Sequence, residues 1–318
     1  ITMAPAKRII FNNDGTFLLA NVIHGERPIT RDDVRAYVDL MAGTPVTSYF
    51  MCTCSSTPYY HNRHERYIGS ADGSKYSVGT KSPHAGEDAN VLAKYKHAVD
   101  RLHAEGTDAV SIILERCREV GLEAVTSMRV NDLHFSDRAV LCPQVQPEFW
   151  LDHPEYDVGP GAIPGWHSAG AFNFEHAAVR EYKQALLQEM MARFRPDAHE
   201  MDLMRFPVYF PAATARACCP IMTDFIRKCR DIVRKTEPTA GRTRQFGVRL
   251  PASVERCKAI GFDPQTWVEE GLVDFITISA FFYDVPSLPV EQFRRDIGSP
   301  DIPIYANLDH GVAEPRGG

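Results

Sequence analysis

The chain has 318 residues, 44% hydrophobic and 24% charged, a globular balance that excludes a disordered, collagen-like or coiled-coil chain. Its 41 acidic and 35 basic side chains give a formal net charge of −6, and with no Lys/Arg block to track a phosphate backbone, no nucleic-acid partner is expected. The longest apolar runs, residues 109–114 and 275–282, fall far short of the ~18 residues that cross a bilayer, so no membrane partner is expected either.

Short β-rich runs alternate with longer amphipathic segments, the pattern of a parallel sheet covered by helices. The first strand is residues 8–11, running into Asn12-Asn13-Asp14-Gly15, and its helix runs from the cap Thr30 to Met41. The second strand is residues 46–52. Residues 53–89 follow without a clear period, then helices near 90–105 and 108–120, the latter ending at Gly121. After the third strand, residues 122–130, comes a second aperiodic stretch, 131–174, which holds Trp150 and Trp166. Loops of that length in a compact domain usually carry function, and the aromatic content argues against disorder.

A helix over 175–194 places Val179, Tyr182, Leu186, Met190 and Phe194 on one stripe, and Pro196 stops it. Strand four is 198–203, followed by a helix around 220–235; strand five is 245–250. Asp263-Pro264 opens a short helix through Trp267 to Glu270, an N-cap followed by a first-turn proline. Strands six and seven are 273–279 and 302–306.

Seven βα-type strands, with no all-helix or all-strand half, favour one domain over residues 1–318. The expected architecture is α/β: a (β/α)8 TIM-like barrel with βα-loop insertions at about 53–89 and 131–174, its eighth strand missing or near 313–318. A doubly wound sheet is the alternative. It loses support because no G-x-G-x-x-G follows the first strand and no G-x-x-x-x-G-K-S/T occurs. An incomplete barrel exposes two sheet edges that a homo-oligomer could cover.

Eight cysteines show no second ligand pair at zinc-finger spacing, and Cys117, Cys229 and Cys257 sit among apolar neighbours, the habit of buried free thiols. No signal peptide stands at Ile1. A cytoplasmic protein and an exported one whose signal has been removed therefore both remain open.

In a parallel barrel the carboxyl ends of the strands converge on the catalytic face, and here those ends are polar. Strand one ends in Asn13-Asp14, strand three in Arg129, Asn131, Asp132 and His134, and strand four in Glu200, Asp202 and Arg205. Strand five offers Arg249, strand six Tyr283 and Asp284, and strand seven Asn307, Asp309 and His310. Alternation along strand four turns Glu200 and Asp202 to the same side, with Met201 and Leu203 against the helices. Two close carboxylates oppose each other's ionisation and can supply an acid and a base. The competing reading is a structural ion pair with Arg205 or Arg249. Asp132 and His134 share a face, although Asn131-Asp132 also suits a plain turn. Trp150 and Trp166, with Tyr59, Tyr60, His153, Tyr156 and His167, either overhang the mouth and stack on sugar rings or form a small core of the insertions. His61, His64, His97, His103 and His176 fit no ligand spacing and are expected on loops and helix surfaces.

The run Glu200-Met-Asp-Leu-Met-Arg-Phe-Pro207 resembles the E-L-D-F/W-M-R-F-P strand-four signature of uncharacterised glycosyl-hydrolase-like TIM-barrel proteins. Asn12-Asn13-Asp14-Gly15 and Arg129-Val-Asn-Asp132 match other strand ends of that group, and the resemblance covers about residues 8–310. It implies a barrel acting on a glycan, with Asp202 placed like the strand-four aspartate that is the nucleophile in related glycosidase clans. The acid/base partner does not carry over, because Asp284 stands where those clans usually have a glutamate.

The expected function is a glycoside hydrolase, acting on an oligo- or polysaccharide without a cofactor. Asp202 serves as nucleophile or base and Asp132 or Glu200 as acid; Arg205, Arg249 and His134 bind substrate, an anionic sugar being a natural fit. The first alternative is a divalent-metal-dependent lyase, isomerase or hydrolase with Asp132, His134, Glu200 and Asp202 as ligands. The second is a non-catalytic carbohydrate-binding barrel.

Overall fold

The computed structural model describes residues 8–15, 27–70, 88–134, 136, 144–159, 170–235, 243–280 and 288–308. Seven strands, β1 (Ile10–Asn13), β2 (Ser48–Cys54), β3 (Glu123–Arg129), β4 (Ala198–Asp202), β5 (Gln245–Pro251), β6 (Phe275–Ser279) and β7 (Ile304–Ala306), form one sheet in sequence order. Every neighbouring pair is parallel. The order never reverses, so the sheet has no switch point of the kind that defines a doubly wound fold. Residues 313–318, one expected place for an eighth strand, lie outside the described residues.

β1 and β2 each start and end two residues later than their hydrophobic runs. Asn12 and Asn13 continue the first strand because their backbones pair with Phe50 and Met51. Their polarity suits a strand end that faces a cavity rather than a turn.

Nine α-helices lie among the described residues: α1 (Arg31–Asp39), α2 (Asp88–Ala104), α3 (Ala109–Glu119), α4 (Glu148–Asp152), α5 (Ala177–Phe194), α6 (Cys219–Lys235), α7 (Val254–Ala259), α8 (Pro264–Glu269) and α9 (Val290–Ile297). The caps are chemical ones. Thr30 and Asp33 form a reciprocal capping box at α1, and Asp108 and Asp263 accept the N–H groups of Ser111 and Thr266. The whole expected stripe of α5 is buried. The helices α7 and α9 and the single turn α4 have no counterpart in the sequence reading, being too short for a helical period to emerge.

Residues paired across the sheet share a face. On the inner one, Phe50, Val125, Ala198 and Phe275 form a cluster against which Ile10 of β1 and Tyr305 of β7 also pack, so the sheet curls into a half-barrel. Gly247 lets this happen: a Cβ there would meet the Phe275 ring at 2.1 Å. Arg8 crosses the interior, donating to Glu123 and Gln245, with its guanidinium over the rings of Phe275 and Tyr305. On the outer face Met201, Leu203, Val248 and Ile276 join the main core beneath the helices.

Several described aromatic residues of the insertions belong to that core. Tyr59, Tyr60 and Trp150 are each 1% exposed, the core reading of the two that the sequence left open, so Trp150 is not the substrate-facing ring of the other reading. Tyr60 meets the Phe194 ring edge-on at 4.7 Å, and Phe149 stacks on Tyr182 at 4.3 Å. Burying such large rings returns more free energy than exposing them for ligand contact. Trp166 and His167 lie outside the described residues. The described cysteines are free, with Cys117, Cys229 and Cys257 fully buried. No described helix is long and apolar enough to cross a membrane.

Candidate active site

A cavity of about 900 Å³ opens at the carboxyl ends of the strands and continues along β1 and β7, within the ~300–1,000 Å³ range of ligand sites. Asn13, Asp14, Arg129, Glu200, Asp202, Arg205, Arg249 and Asn307 all line it. Asn131, Asp132 and Trp150 are buried and the His134 side chain is 41% exposed, and none of the four lines it. Tyr283, Asp284, Asp309 and His310 lie outside the described residues.

The two carboxylates of β4 share a face but not an environment. Glu200 Oε1 accepts from Ser127 Oγ and Arg249 Nη2, both at 3.1 Å, and Oε2 from Thr277 Oγ1 at 2.8 Å. Its side chain is 1% exposed, and three of its roughly four acceptor positions are used. Asp202 is anchored at one oxygen only: Oδ1 accepts from the backbone N–H groups of Met204 and Arg205 at 2.9 and 3.1 Å. Oδ2 faces Arg249 Nη1 across 3.6 Å at the cavity wall. The loop after β4 thus fixes one oxygen of the Asp202 carboxylate, while among the described residues the second meets only Arg249; the side chain, 7% exposed, lines the cavity.

Asp132 is the centre of a second network. Its Oδ1 accepts from the backbone N–H of His134 at 3.0 Å and from His134 Nδ1 at 2.5 Å, and Oδ2 from Arg129 Nη1 at 3.3 Å. Burial pushes this carboxyl up, but His134 and Arg129 outweigh it and hold it well below the usual carboxylate range. Arg205 Nη2 donates to His134 Nε2 at 3.0 Å. A guanidinium has no acceptor, so Nε2 must accept and Nδ1 must carry the proton that goes to Asp132. With a side chain 0% exposed and held ionised, Asp132 suits orienting His134 and Arg129; the expected role of general acid needs the opposite properties. Burial and the nearby Arg129 lower the Arg205 pKa from its ordinary value.

Arg129 also reaches Asp14 Oδ2 at 3.7 Å, and Asp14 keeps 34% of its side chain exposed on the cavity. Asn13 donates to Tyr49 Oη at 2.6 Å and accepts from the Gly15 N–H, which shapes the turn that presents Asp14. Asn307 donates to Ser279 Oγ at 3.3 Å. Asn131, expected to touch substrate, instead donates to the carbonyls of Phe172 and Val208 and accepts from the Phe172 N–H. It is 1% exposed and ties two loops together.

Asp132, His134, Glu200 and Asp202 do not converge: among the described residues no three His, Cys, Asp or Glu side chains are arranged to hold a metal ion. The ligand set of the metal-dependent alternative is therefore corrected, since Glu200 and Asp132 each serve a separate interior network. Ser127, Thr277 and Lys183 were not singled out from sequence. The inward alternation of β3 and β6 is the signal that would have found the first two.

No family model matches the sequence, and no curated protein matches it. Solved structures do. The glycoside hydrolase domain of PgaB (BpsB) from Bordetella bronchiseptica is 14% identical, with a TM-score of 0.50 over 92% of this chain and 79% of that one. A noncanonic maltogenic α-amylase, AmyB, from Thermotoga neapolitana is 11% identical, with a TM-score of 0.46 over 87% of this chain and 50% of that one. The pneumococcal virulence factor StrH, solved in a study of N-glycan recognition and hydrolysis, is 11% identical, with a TM-score of 0.49 over 92% of this chain and 63% of that one. The chain spans half the length of the amylase. At these identities the likeness is one of fold alone, a fold shared with a glycoside hydrolase domain.

Proposed function

We propose that the protein is a glycoside hydrolase of an oligo- or polysaccharide, built on the greater part of a (β/α)8-type barrel, with Asp202 as the carboxylate at the reacting centre. The observation that carries this reading is the asymmetry of Asp202, which lines a cavity of about 900 Å³ at the strand C-termini: one oxygen is pinned by two backbone N–H groups, and among the described residues the other meets only Arg249, at 3.6 Å. A carboxylate so placed keeps its orientation while an oxocarbenium-like centre develops above it. Asp14 is the partner we assign for proton transfer, because it lines the same cavity with 34% of its side chain exposed. Glu200 and Asp132 hold Arg249 and His134 in place, and Arg205 faces the substrate. Fold-level kinship with a glycoside hydrolase domain supports the assignment by analogy.

The test is release of reducing ends from a panel of neutral and anionic oligosaccharides. Asp202→Asn is expected to lower turnover by ~10²–10⁴ on any glycan the wild type cleaves, the usual size of a carboxylate's contribution. Wild-type turnover in Asp202→Asn overturns the reading, and binding without cleavage across the panel favours a carbohydrate-binding barrel.

A further inference from the structure

Behind the cavity wall, α5 buries a lysine. Lys183 lies on the apolar side of the helix beside Tyr182, Leu186 and Leu187 and is 2% exposed. A leucine or methionine would fill that space without the several kcal/mol that desolvating an ammonium costs. Nζ stands 4.9 Å from the Phe172 ring and 5.3 Å from the Tyr182 ring, contacts that favour a cation but use none of its three N–H donors. Among the described residues it makes no direct hydrogen bond or ion pair.

A small cavity of about 10 Å³, lined by Ser56, Asp132, Gln146, Trp150, Phe172 and Lys183, adjoins it. That is about the room one water molecule needs. Polar groups share its walls with the rings of Trp150 and Phe172: Ser56 Oγ donates to the Asp132 carbonyl at 3.5 Å, and Gln146 Nε2 donates to the His134 carbonyl. Burial pushes the lysine pKa down, while Cys54, Glu65 and Asp132 oppose that fall. Glu65 is already saturated, accepting from the N–H groups of Arg66, Glu148 and Phe149 and from Tyr182 Oη. Asp132 is the carboxylate left for Lys183 to serve.

We propose that Lys183 is a positioning residue: through one water molecule in this small cavity it provides a second cationic support of Asp132 beside Arg129, and thereby steadies the His134–Arg205 pair. The groups facing Asp132 are Arg129 from β3, His134 from its own loop, Arg205 and Tyr209 from the segment after β4, Cys54 from the end of β2, and Lys183 from α5. Arg129 and His134 touch it directly; Lys183 completes the far side. The link to a glycan reaction rests on the function proposed above, whereas the link between Lys183 and Asp132 does not.

A double-mutant cycle on urea unfolding tests that link. Lys183→Met and Asp132→Asn are each expected to destabilise the protein. Their coupling should be at least tenfold in the unfolding equilibrium constant, which is about 1.4 kcal/mol. Without the ammonium, Asp132 takes up a proton sooner, so the acid-unfolding midpoint of Lys183→Met should move up by ~1 pH unit. If Lys183→Met does not fold, Lys183→Gln, which still donates to a water, supplies the cycle and the acid midpoint. Additivity within twofold, or an unmoved acid midpoint, overturns the proposal. On a glycan that the wild type cleaves, the acid limb of the kcat profile should rise in the same variant with KM unchanged. A uniform loss of kcat with no shift means a merely structural lysine. Should no glycan be cleaved, the function fails while the cycle still decides the role of Lys183.

Discussion

Glu200 and Asp202, two residues apart on one strand, are expected to respond oppositely to the loss of their charge. Glu200→Gln leaves the Arg249 guanidinium facing a neutral amide in a nearly dry interior, and removing one member of a buried pair costs about 3 kcal/mol or more. Asp202→Asn keeps an oxygen for the Met204 and Arg205 N–H groups and leaves Arg249 its closer partner Glu200 at 3.1 Å, so it should shift unfolding by less than about 1 kcal/mol while lowering turnover by ~10²–10⁴. Denaturant titrations of both variants check this, and an Asp202→Asn loss as large as that of Glu200→Gln would make Asp202 structural. The alternation that turns both residues inward was legible in the sequence. Which of the two is saturated was not, because Ser127, Arg249 and Thr277 come from three other strands. His199, on the same strand, makes a pH prediction. Burial, with Arg244, pushes its imidazole down to about 3, and Thr126 Oγ1 lies 2.8 Å from Nδ1. The folded state holds it neutral, so the unfolded chain binds the proton first as pH falls below ~6.5. Stability is therefore full above that pH and falls by up to about 1.4 kcal/mol per unit on the way toward the folded pKa. Urea midpoints at pH 7 and 5 should differ, and His199→Gln should flatten the difference.

The periodic elements were those that the sequence made plain. The stripe of α5 is buried as expected, and the caps Thr30 and Asp263 start α1 and α8. Lys183 breaks the same stripe unseen, since a hydrophobic pattern says nothing about a buried amine. The insertions were opaque for a related reason: whether an aromatic side chain faces ligand or core is decided by tertiary packing, and aperiodic segments carry no face. Trp150 illustrates the consequence. Its ring is packed closely enough that a Cβ on Gly170 would stand 2.8 Å from Cζ2. Trp150→Ala is expected to cost about 3–5 kcal/mol, the range for emptying a large aromatic site, as measured by denaturant unfolding. A ring serving only as a sugar platform would leave stability within ~0.5 kcal/mol, so an unchanged midpoint would favour the platform, the other of the two readings open from sequence.

At the scale of the whole molecule, sequential parallel order leaves β1 and β7 each with one hydrogen-bonded neighbour among the described strands, whereas β2 to β6 have two. Strand order followed directly from alternating βα units, but what joins the two ends of the curled sheet did not. That tie is largely one side chain. Arg8 is bound to Glu123 of β3 and Gln245 of β5, and its guanidinium lies 5.0 Å from the Phe275 ring and 5.9 Å from the Tyr305 ring. A single planar cation thereby couples the start of β1 to four other strands. Amide exchange should accordingly be graded, fastest in β1 and β7 and slowest in β3 to β5, because edge amides open without unfolding the centre. Arg8→Met keeps the apolar stem but removes the charge and its donors, so exchange should accelerate in β1 and β7 at least tenfold while β4 changes little. Uniform acceleration across all seven strands would mean that Arg8 supports the global fold and does not hold its open edges together.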